Sequence, residues 1–183
     1  MPTEDLRTAL IDAFVWIGDR GTTADGADRT KWLRQPRIVN DVGAALAALF
    51  NESPTVVLGP PTSGYGLGAL VAAATGAGFA GAEKGERRYA DSDPWLTATT
   101  PLDYKGRNMR LGVRKDLLSS SDRVLIVDDW ADTGGQLLAL QKIVELAGAR
   151  LVGTAVIVDG LSSNATRRDL GLRSLLHLRE LRD

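Results

Sequence analysis

Residues 123–136 read Arg-Val-Leu-Ile-Val-Asp-Asp-Trp-Ala-Asp-Thr-Gly-Gly-Gln, and this stretch decides the fold. Its consecutive apolar residues, Val124 to Val127, predict a strand that is buried on both faces. From Leu137 onward, apolar residues recur at helical spacing as far as Gly148, a residue type that commonly ends a helix. The intervening Thr133–Gly135 therefore lies at a helix N-terminus, where free backbone N–H groups favour a phosphate. Carboxylates beside such a cradle predict a ligand that carries a phosphate together with hydroxyl groups or a metal.

Outward from this stretch, helical and strand patterns alternate along the chain. Such alternation predicts an α/β fold with a mostly parallel, Rossmann-like sheet flanked by helices. The segment between residues 84 and 112 is long and polar, and it predicts a flexible hairpin. The predicted helices are a first one with the apolar face Leu6, Leu10, Phe14 and Ile17, then Ile38–Phe50 and Leu67–Thr75; the other predicted strands are Thr55–Leu58, Phe79–Glu83, Leu96–Thr100, Met109–Val113, Leu151–Asp159 and Ser174–Leu178.

Length and composition narrow the class of protein. A chain of 183 residues with 44% hydrophobic content fits a single domain with a substantial core. Zero cysteines and one histidine exclude a disulfide framework, a thiolate zinc site and a histidine-rich metal centre. A net charge of −1 and the lack of a long apolar run indicate neither nucleic acid nor a membrane as partner. We therefore expect a cytoplasmic protein.

Residues 123–136 resemble the phosphoribosyl pyrophosphate (PRPP) signature of the type I phosphoribosyltransferases, especially adenine phosphoribosyltransferase-like proteins. That signature has an apolar strand, two acidic residues, two variable positions, a small residue, Thr-Gly, then Gly or Lys and usually Thr or Ser. Asp128, Asp129 and Thr133–Gly135 match it, whereas Gln136 replaces the usual hydroxyl residue. The alternative is an ordinary strand-to-helix turn that gathers polar residues. The resemblance implies the type I phosphoribosyltransferase fold with a small hood, and Mg²⁺-dependent transfer of 5-phosphoribose from PRPP to a nucleobase.

The resemblance also implies roles for individual residues. Asp128 and Asp129 would contact the ribose hydroxyls and Mg²⁺, near the positive charge that develops on the ribose. The residues implied as catalytic are Asp128, Asp129, Asp132 and Lys84. Those implied in PRPP binding are Asp128, Asp129, Ala131, Asp132, Thr133, Gly134, Gly135, Gln136, Pro61, Thr62, Ser63, Gly64, Lys84 and Arg87.

A second loop, Gly59 to Gly68, follows a predicted strand and opens a predicted helix, so it repeats the anion-binding geometry. It resembles the pyrophosphate loop of adenine phosphoribosyltransferases, although Ser63 stands where they carry Arg. The alternative is a tight turn between a strand and a helix. A third segment, Ala82–Arg88, resembles their basic run at Lys84, but Glu83 and Glu86 invert two charges. Its cations either neutralise pyrophosphate or form a solvated turn.

The residues that recognise the base are the least evident. Asp132 matches hypoxanthine-guanine phosphoribosyltransferases, in which this carboxylate acts on a purine N–H, but it would also suit a helix cap. In the superfamily a hood made of chain ends covers the base, and the candidates here are Gly18–Arg37 and Asp159–Asp169. Trp32 or Tyr65 would stack on the base, or pack in the core or at a hinge.

These implications divide the single domain, residues 1–183, into three parts. Residues 1–40 hold the N-terminal helix and hood, residues 41–160 the core with its flexible segment 84–112, and residues 161–183 a C-terminal extension. The leading hypothesis is transfer to a purine, adenine-like in framework. The alternatives are a PRPP-binding regulatory or accessory protein, and a transferase for a 6-oxopurine or another heterocycle. Because family members often dimerise, we expect a homodimer.

Overall fold

The elements of the protein were identified in a computed structural model that describes residues 4–17, 26–85, 92–101 and 107–181. Short 3-10 helices lie at Lys115–Leu117 and Leu178–Leu181. The other elements in chain order are α1 (Glu4–Asp12), β1 (Val15–Ile17), β2 (Gly26–Asp28), α2 (Pro36–Ala47), β3 (Val56–Gly59), α3 (Ser63–Thr75), β4 (Gly78–Gly81), β5 (Glu83–Lys84), β6 (Trp95–Thr99), β7 (Arg110–Arg114), β8 (Arg123–Ala131), α4 (Gly135–Leu146), β9 (Arg150–Asp159), α5 (Asn164–Asp169) and β10 (Leu172–His177).

A five-stranded sheet in the order β10-β9-β8-β3-β4 forms the centre of the molecule, and its pairings are all parallel. This confirms the predicted α/β architecture with a parallel, Rossmann-like sheet. After β3 the chain adds β4 on one side and later β8 on the other, so the strand order reverses between β3 and β8. Ligands of such sheets bind in the crevice at the carboxyl ends of the strands beside that reversal.

Helices cover the central sheet on both faces because successive residues of a buried strand point to opposite sides. Leu125 and Val127 of β8 belong to the apolar core that is shared with α1, α2 and α3. Val124 and Ile126 belong to the second core, with α4 and β7. The continuous apolar run Val124–Val127 is therefore buried on both faces of the sheet, as predicted.

Helices α1, α2 and α3 depart from their predicted bounds, and α2 spans Pro36–Ala47 instead of Ile38–Phe50. The first was expected to present Ile17 on its apolar face, but α1 ends at Asp12, and Ile17 lies in β1 with 54% of its surface exposed. Pairing of β1 with β2 competes successfully with the helical pattern there. Helix α3 begins at Ser63, four residues before the predicted Leu67, because close packing of its first turn outweighs the low helix propensity of glycine.

A three-stranded antiparallel sheet, β5-β7-β6, lies beyond the central one. It confirms the predicted pairing of strands near residues 96–100 and 109–113. The predicted strand Phe79–Glu83 is divided between the two sheets, since β4 pairs with β3 and Glu83 pairs with Gly112 of β7. Helix α5 was not predicted; Ser163 caps it by accepting a hydrogen bond from the Thr166 backbone. None of the described helices has the length and apolar character needed to span a bilayer.

Candidate active site

Asp128 and Asp129, the acid pair, lie at the carboxyl end of β8, beside the reversal of strand order. The strand continues past the predicted Val127 to Ala131, because β9 pairs with it as far as Asp159. Both acidic side chains are buried, with 8% and 6% of their surface exposed. Burial of neighbouring carboxylates is costly unless their charge is compensated.

That compensation differs between the two carboxyl groups. Asp128 Oδ1 accepts hydrogen bonds from Ser63 Oγ at 3.3 Å and from the Asp129 backbone N–H at 2.8 Å. Burial, followed by the charge of Asp129, raises the pKa of Asp128 to about 8. Asp129 Oδ2 instead lies 3.1 Å from Nη1 of Arg29. In the ligand-free protein near pH 7, a proton therefore neutralises Asp128 and a guanidinium neutralises Asp129.

The raised pKa of Asp128 predicts a stability that falls as the pH rises. An unfolded Asp loses its proton near pH 3.8, whereas folded Asp128 keeps it to about pH 8, so the folded state binds more protons between these values. We expect the melting temperature of the ligand-free protein to fall across that window. Asp128→Asn does not titrate at this position, and its pH profile should be flatter. Thermal melts of both proteins between about pH 5 and about pH 9 test this. Melting temperatures that change with pH in the same way in both proteins would contradict it.

The acid pair forms part of a cavity of about 580 Å³ that draws residues from three distant segments. These are residues 26–35 of the predicted hood (the hood segment), the turn between β3 and α3, and the end of β8 with the loop after it. The lining residues are Ala27, Arg29, Thr30, Leu33, Pro61, Thr62, Ser63, Asp128, Asp129, Trp130, Asp132 and Gln136.

The loop Thr133–Gln136, named the phosphate loop after its predicted role, opens α4 at the predicted place. Gly134 has a φ of +79°, a left-handed conformation that favours glycine, and it precedes the first helical residue. Thr133, Gly135 and Gln136 also line a second cavity of about 580 Å³, which residues 107–109 complete from the other side. The side-chain oxygen of Gln136 is buried and lacks a hydrogen-bond partner within the described part of the chain. Gly134 is the N-cap residue of α4, and Thr133 Oγ1 accepts a hydrogen bond from the Gly135 N–H at 3.4 Å, so Asp132 is not the capping residue of this helix.

Comparison with known proteins agrees with this arrangement. Residues 29–174 match the family model of the phosphoribosyl transferase domain. The chain belongs to this family. An adenine phosphoribosyltransferase of Natranaerobius thermophilus is 32% identical over 133 residues, which cover 72% of this chain and 75% of that protein. A xanthine phosphoribosyltransferase of Geobacillus thermodenitrificans is 31% identical over 153 residues, which cover 81% of this chain and 78% of that protein.

Among solved structures, an adenine phosphoribosyltransferase of Rhodothermus marinus superposes on this chain with a TM-score of 0.79. The sequence identity is 28%, and the superposition covers 95% of this chain and 99% of that one. The type I phosphoribosyltransferase fold predicted from residues 123–136 is thereby confirmed.

Two aromatic residues that were expected to stack on a base have packing roles in this phosphoribosyltransferase fold. Trp32 is 2% exposed, and its indole N–H donates to the Leu10 carbonyl at 2.9 Å. The structure thus corrects the base-stacking hypothesis for Trp32 in favour of its core alternative. The Tyr65 hydroxyl donates to the Ala82 carbonyl at 2.6 Å, and its ring meets Phe79 edge-on at 5.9 Å. Tyr65 does not line the cavity, because these contacts direct it towards β4.

The basic segment is only partly described. Lys84 lies exposed in β5, opposite Leu111 of β7, and is not among the residues that line the cavity. Arg87 falls outside the described residues. Ala131 is buried, and its carbonyl accepts a hydrogen bond from the Gly160 backbone at 2.8 Å, so it anchors the loop rather than facing the cavity.

Sequence reasoning missed Arg29 and the cavity role of Trp130. Trp130 occupies a variable position of the signature, yet it lines the cavity and stacks on Phe14 at 5.9 Å between ring centroids. The Arg29 guanidinium carbon lies 5.7 Å from the Trp130 ring, a cation–π contact. The one signal for Arg29 was its position in the hood candidate Gly18–Arg37, since no local pattern links it to Asp129.

Proposed function

We propose that this protein transfers the 5-phosphoribosyl group of PRPP to a ring nitrogen of a purine and releases pyrophosphate. The observation that supports the proposal is the cavity in which the acid pair, Asp132 and the turn Pro61–Ser63 meet beside the phosphate loop. Carboxylates suit ribose hydroxyls, and the start of α4 suits a phosphate. The related adenine and xanthine phosphoribosyltransferases support a purine as the acceptor.

The reaction breaks the bond between C1 of the ribose and the pyrophosphate oxygen, forms a bond from C1 to the base nitrogen, and releases one proton from the base. Its transition state carries positive charge on the ribose. Asp128 and Asp129 accept hydrogen bonds from the ribose hydroxyls, and the charge of Asp129 lies where that positive charge develops. Asp132 is an exposed carboxylate that lines the same cavity, and it takes up the proton from the base.

The anionic groups of PRPP fall on two loops in this proposal. Thr133–Gln136 hold the 5′-phosphate through backbone N–H groups at the start of α4, a 12-residue helix. The turn Pro61–Gly64 holds the pyrophosphate through its backbone and the Ser63 hydroxyl. Lys84 and Arg87 remain proposed pyrophosphate contacts from the segment 84–112, and closure of that segment would exclude water from the site.

In this proposal Mg²⁺ takes most of its ligands from PRPP, with Asp128 and Asp129 beside it. Within the described residues, no group of three or more His, Cys, Asp or Glu side chains could hold a metal ion. Asp128 keeps its proton to about pH 8, and Asp129 is paired with Arg29. We therefore propose that Mg²⁺ enters as the complex with PRPP, whose oxygens supply ligands of the kind Mg²⁺ prefers. Bound there, it would neutralise charge on the departing pyrophosphate.

The test is pyrophosphate release from PRPP and Mg²⁺ in the presence of adenine, hypoxanthine, guanine, xanthine or uracil, each measured separately. We expect release with at least one purine and none with uracil. Binding of PRPP without release on any base would contradict the transfer and support the regulatory alternative. Release with uracil alone would point to another heterocycle. The homodimer and the cytoplasmic location stay predictions, which light scattering and cell fractionation test.

Asp132→Asn is expected to lower the turnover number with the preferred purine about 10- to 100-fold, since an amide does not take up a proton. The dissociation constant for PRPP should stay within about twofold, because the substitution keeps the shape of the loop. Asp41→Asn, at an exposed carboxylate of α2, is the matched control and should leave both quantities unchanged. Unchanged turnover in Asp132→Asn would remove the acid/base role from this residue.

A further inference from the structure

The charge of the cavity is poorly matched to a pyrophosphate. Three acidic side chains line it: Asp128, Asp129 and Asp132. The turn Pro61–Ser63, which faces the same space, brings no charged side chain. Among the described residues that line the cavity, Arg29 alone carries a positive charge. A polyanionic donor that binds beside these acidic side chains needs a cation, and pyrophosphate gains further charge as it departs.

Arg29 is held in a way that allows its guanidinium to change partners. The residues on either side fix its backbone, because Asp28 Oδ1 accepts hydrogen bonds from the Thr30 N–H at 2.9 Å and the Thr30 hydroxyl at 2.6 Å. The side chain itself is 37% exposed and makes its ion pair with Asp129 at 3.1 Å. Its guanidinium also lies against Trp130, 5.7 Å from the ring centroid. Neither contact encloses the guanidinium.

We propose that Arg29 binds the pyrophosphate group of PRPP. In the ligand-free protein Asp129 holds the guanidinium; when ribose hydroxyls donate hydrogen bonds to Asp129, the guanidinium moves to the pyrophosphate oxygens and stays over Trp130. The exchange replaces a bond to one carboxylate by charge-assisted bonds to a group of higher charge, for which the planar fork of arginine is suited. This inference rests on the proposed function, since it takes PRPP as the ligand.

The hood segment thereby gains a second role. Arg29 shares this segment with Ala27, Thr30 and Leu33, which line the same cavity. Movement of the guanidinium from Asp129 to pyrophosphate leaves both acidic groups free for the ribose and keeps the segment attached to the bound donor. The leaving group is then neutralised from the hood segment, while the turn Pro61–Ser63 supplies no charged side chain.

Calorimetric titration of Arg29→Gln and Arg29→Lys with three probes, each with Mg²⁺, tests this: PRPP, inorganic pyrophosphate and ribose 5-phosphate. We expect Arg29→Gln to weaken PRPP and pyrophosphate binding about 10- to 100-fold, the usual range for a hydrogen bond to a charged group. Ribose 5-phosphate lacks the pyrophosphate, and its affinity should change less than about threefold. Arg29→Lys should lose less affinity for pyrophosphate than Arg29→Gln, because it keeps the charge but not the fork.

Arg34→Gln is the matched control: Arg34 is exposed in the same segment and does not line the cavity. It should bind all three probes as the unmodified protein does. Equal weakening of ribose 5-phosphate and PRPP by Arg29→Gln, or no weakening of either, would overturn the inference. Failure of the unmodified protein to bind PRPP would instead contradict the proposed function. If the protein binds PRPP but transfers it to no base, the binding constants of the Arg29 variants still decide whether Arg29 binds the pyrophosphate.

Discussion

Asp129→Asn is expected to lower kcat/KM for phosphoribosyl transfer about 100- to 1000-fold, the range found when a preorganised electrostatic group is removed from an active site. Asp129 is buried at the carboxyl end of β8, so no other solvent-facing group takes its place. An amide keeps the volume of the side chain but loses the negative charge that faces the developing positive charge on the ribose. It also leaves Arg29 without the carboxylate that holds it in the ligand-free protein.

The same substitution should not unfold the protein. Removal of the neighbouring charge lowers the pKa of Asp128, although burial, the larger cause, still keeps it above its ordinary value. Kinetics with saturating base, together with a thermal melt, separate the two effects. Asp116→Asn, at an exposed carboxylate after β7, is the control and should retain full activity. If Asp129→Asn lowers kcat/KM by less than about tenfold, which corresponds to about 1.4 kcal/mol, the assigned role is contradicted.

Gly59→Ala is expected to reduce the free energy of unfolding by about 3 kcal/mol or more, at the upper end of the overpacking range. Gly59 ends β3, and a Cβ built there would lie 2.2 Å from the carbonyl oxygen of Gly64. That oxygen belongs to the backbone of the first turn of α3, which has little room to retreat. A Cβ on Gly64 itself would meet Pro60 Cδ at 2.4 Å and the Val127 carbonyl oxygen at 3.0 Å. The turn is therefore packed on backbone from both sides.

Urea denaturation measures the effect, and Gly66→Ala provides the matched control in the same helix. A Cβ at Gly66 would meet only the Leu33 Cδ1 at 3.0 Å, the end of an exposed side chain that can move. Alanine also favours a helix over glycine by about 1 kcal/mol. We expect Gly66→Ala to leave the free energy of unfolding unchanged or to raise it slightly. A stability of Gly59→Ala within about 1 kcal/mol of the unmodified protein would show that the turn relaxes.

Much of the fold was predicted from patterns among residues that are close together in the sequence. The apolar run Val124–Val127, the two acidic residues after it and the helical spacing from Leu137 all lie within one short segment. Strand burial, helix periodicity and the small residues of a strand-to-helix turn are properties of neighbouring residues, so the sequence expresses them directly. For the same reason the α/β class and the loop that opens α4 were correctly predicted, whereas the end of α1, the bounds of α2 and the start of α3 were not.

The sequence by itself thus determined the alternation of elements, the signature strand and the loop that opens the next helix. Only the tertiary structure decided that Arg29 meets Asp129, that Trp32 is in the core while Trp130 lines the cavity, and that Asp128 keeps its proton to about pH 8. The physical reason is range. Periodicity and capping depend on residues a few positions apart, whereas an ion pair between residues 29 and 129 and the burial of a carboxyl group depend on which surfaces the folded sheet brings together.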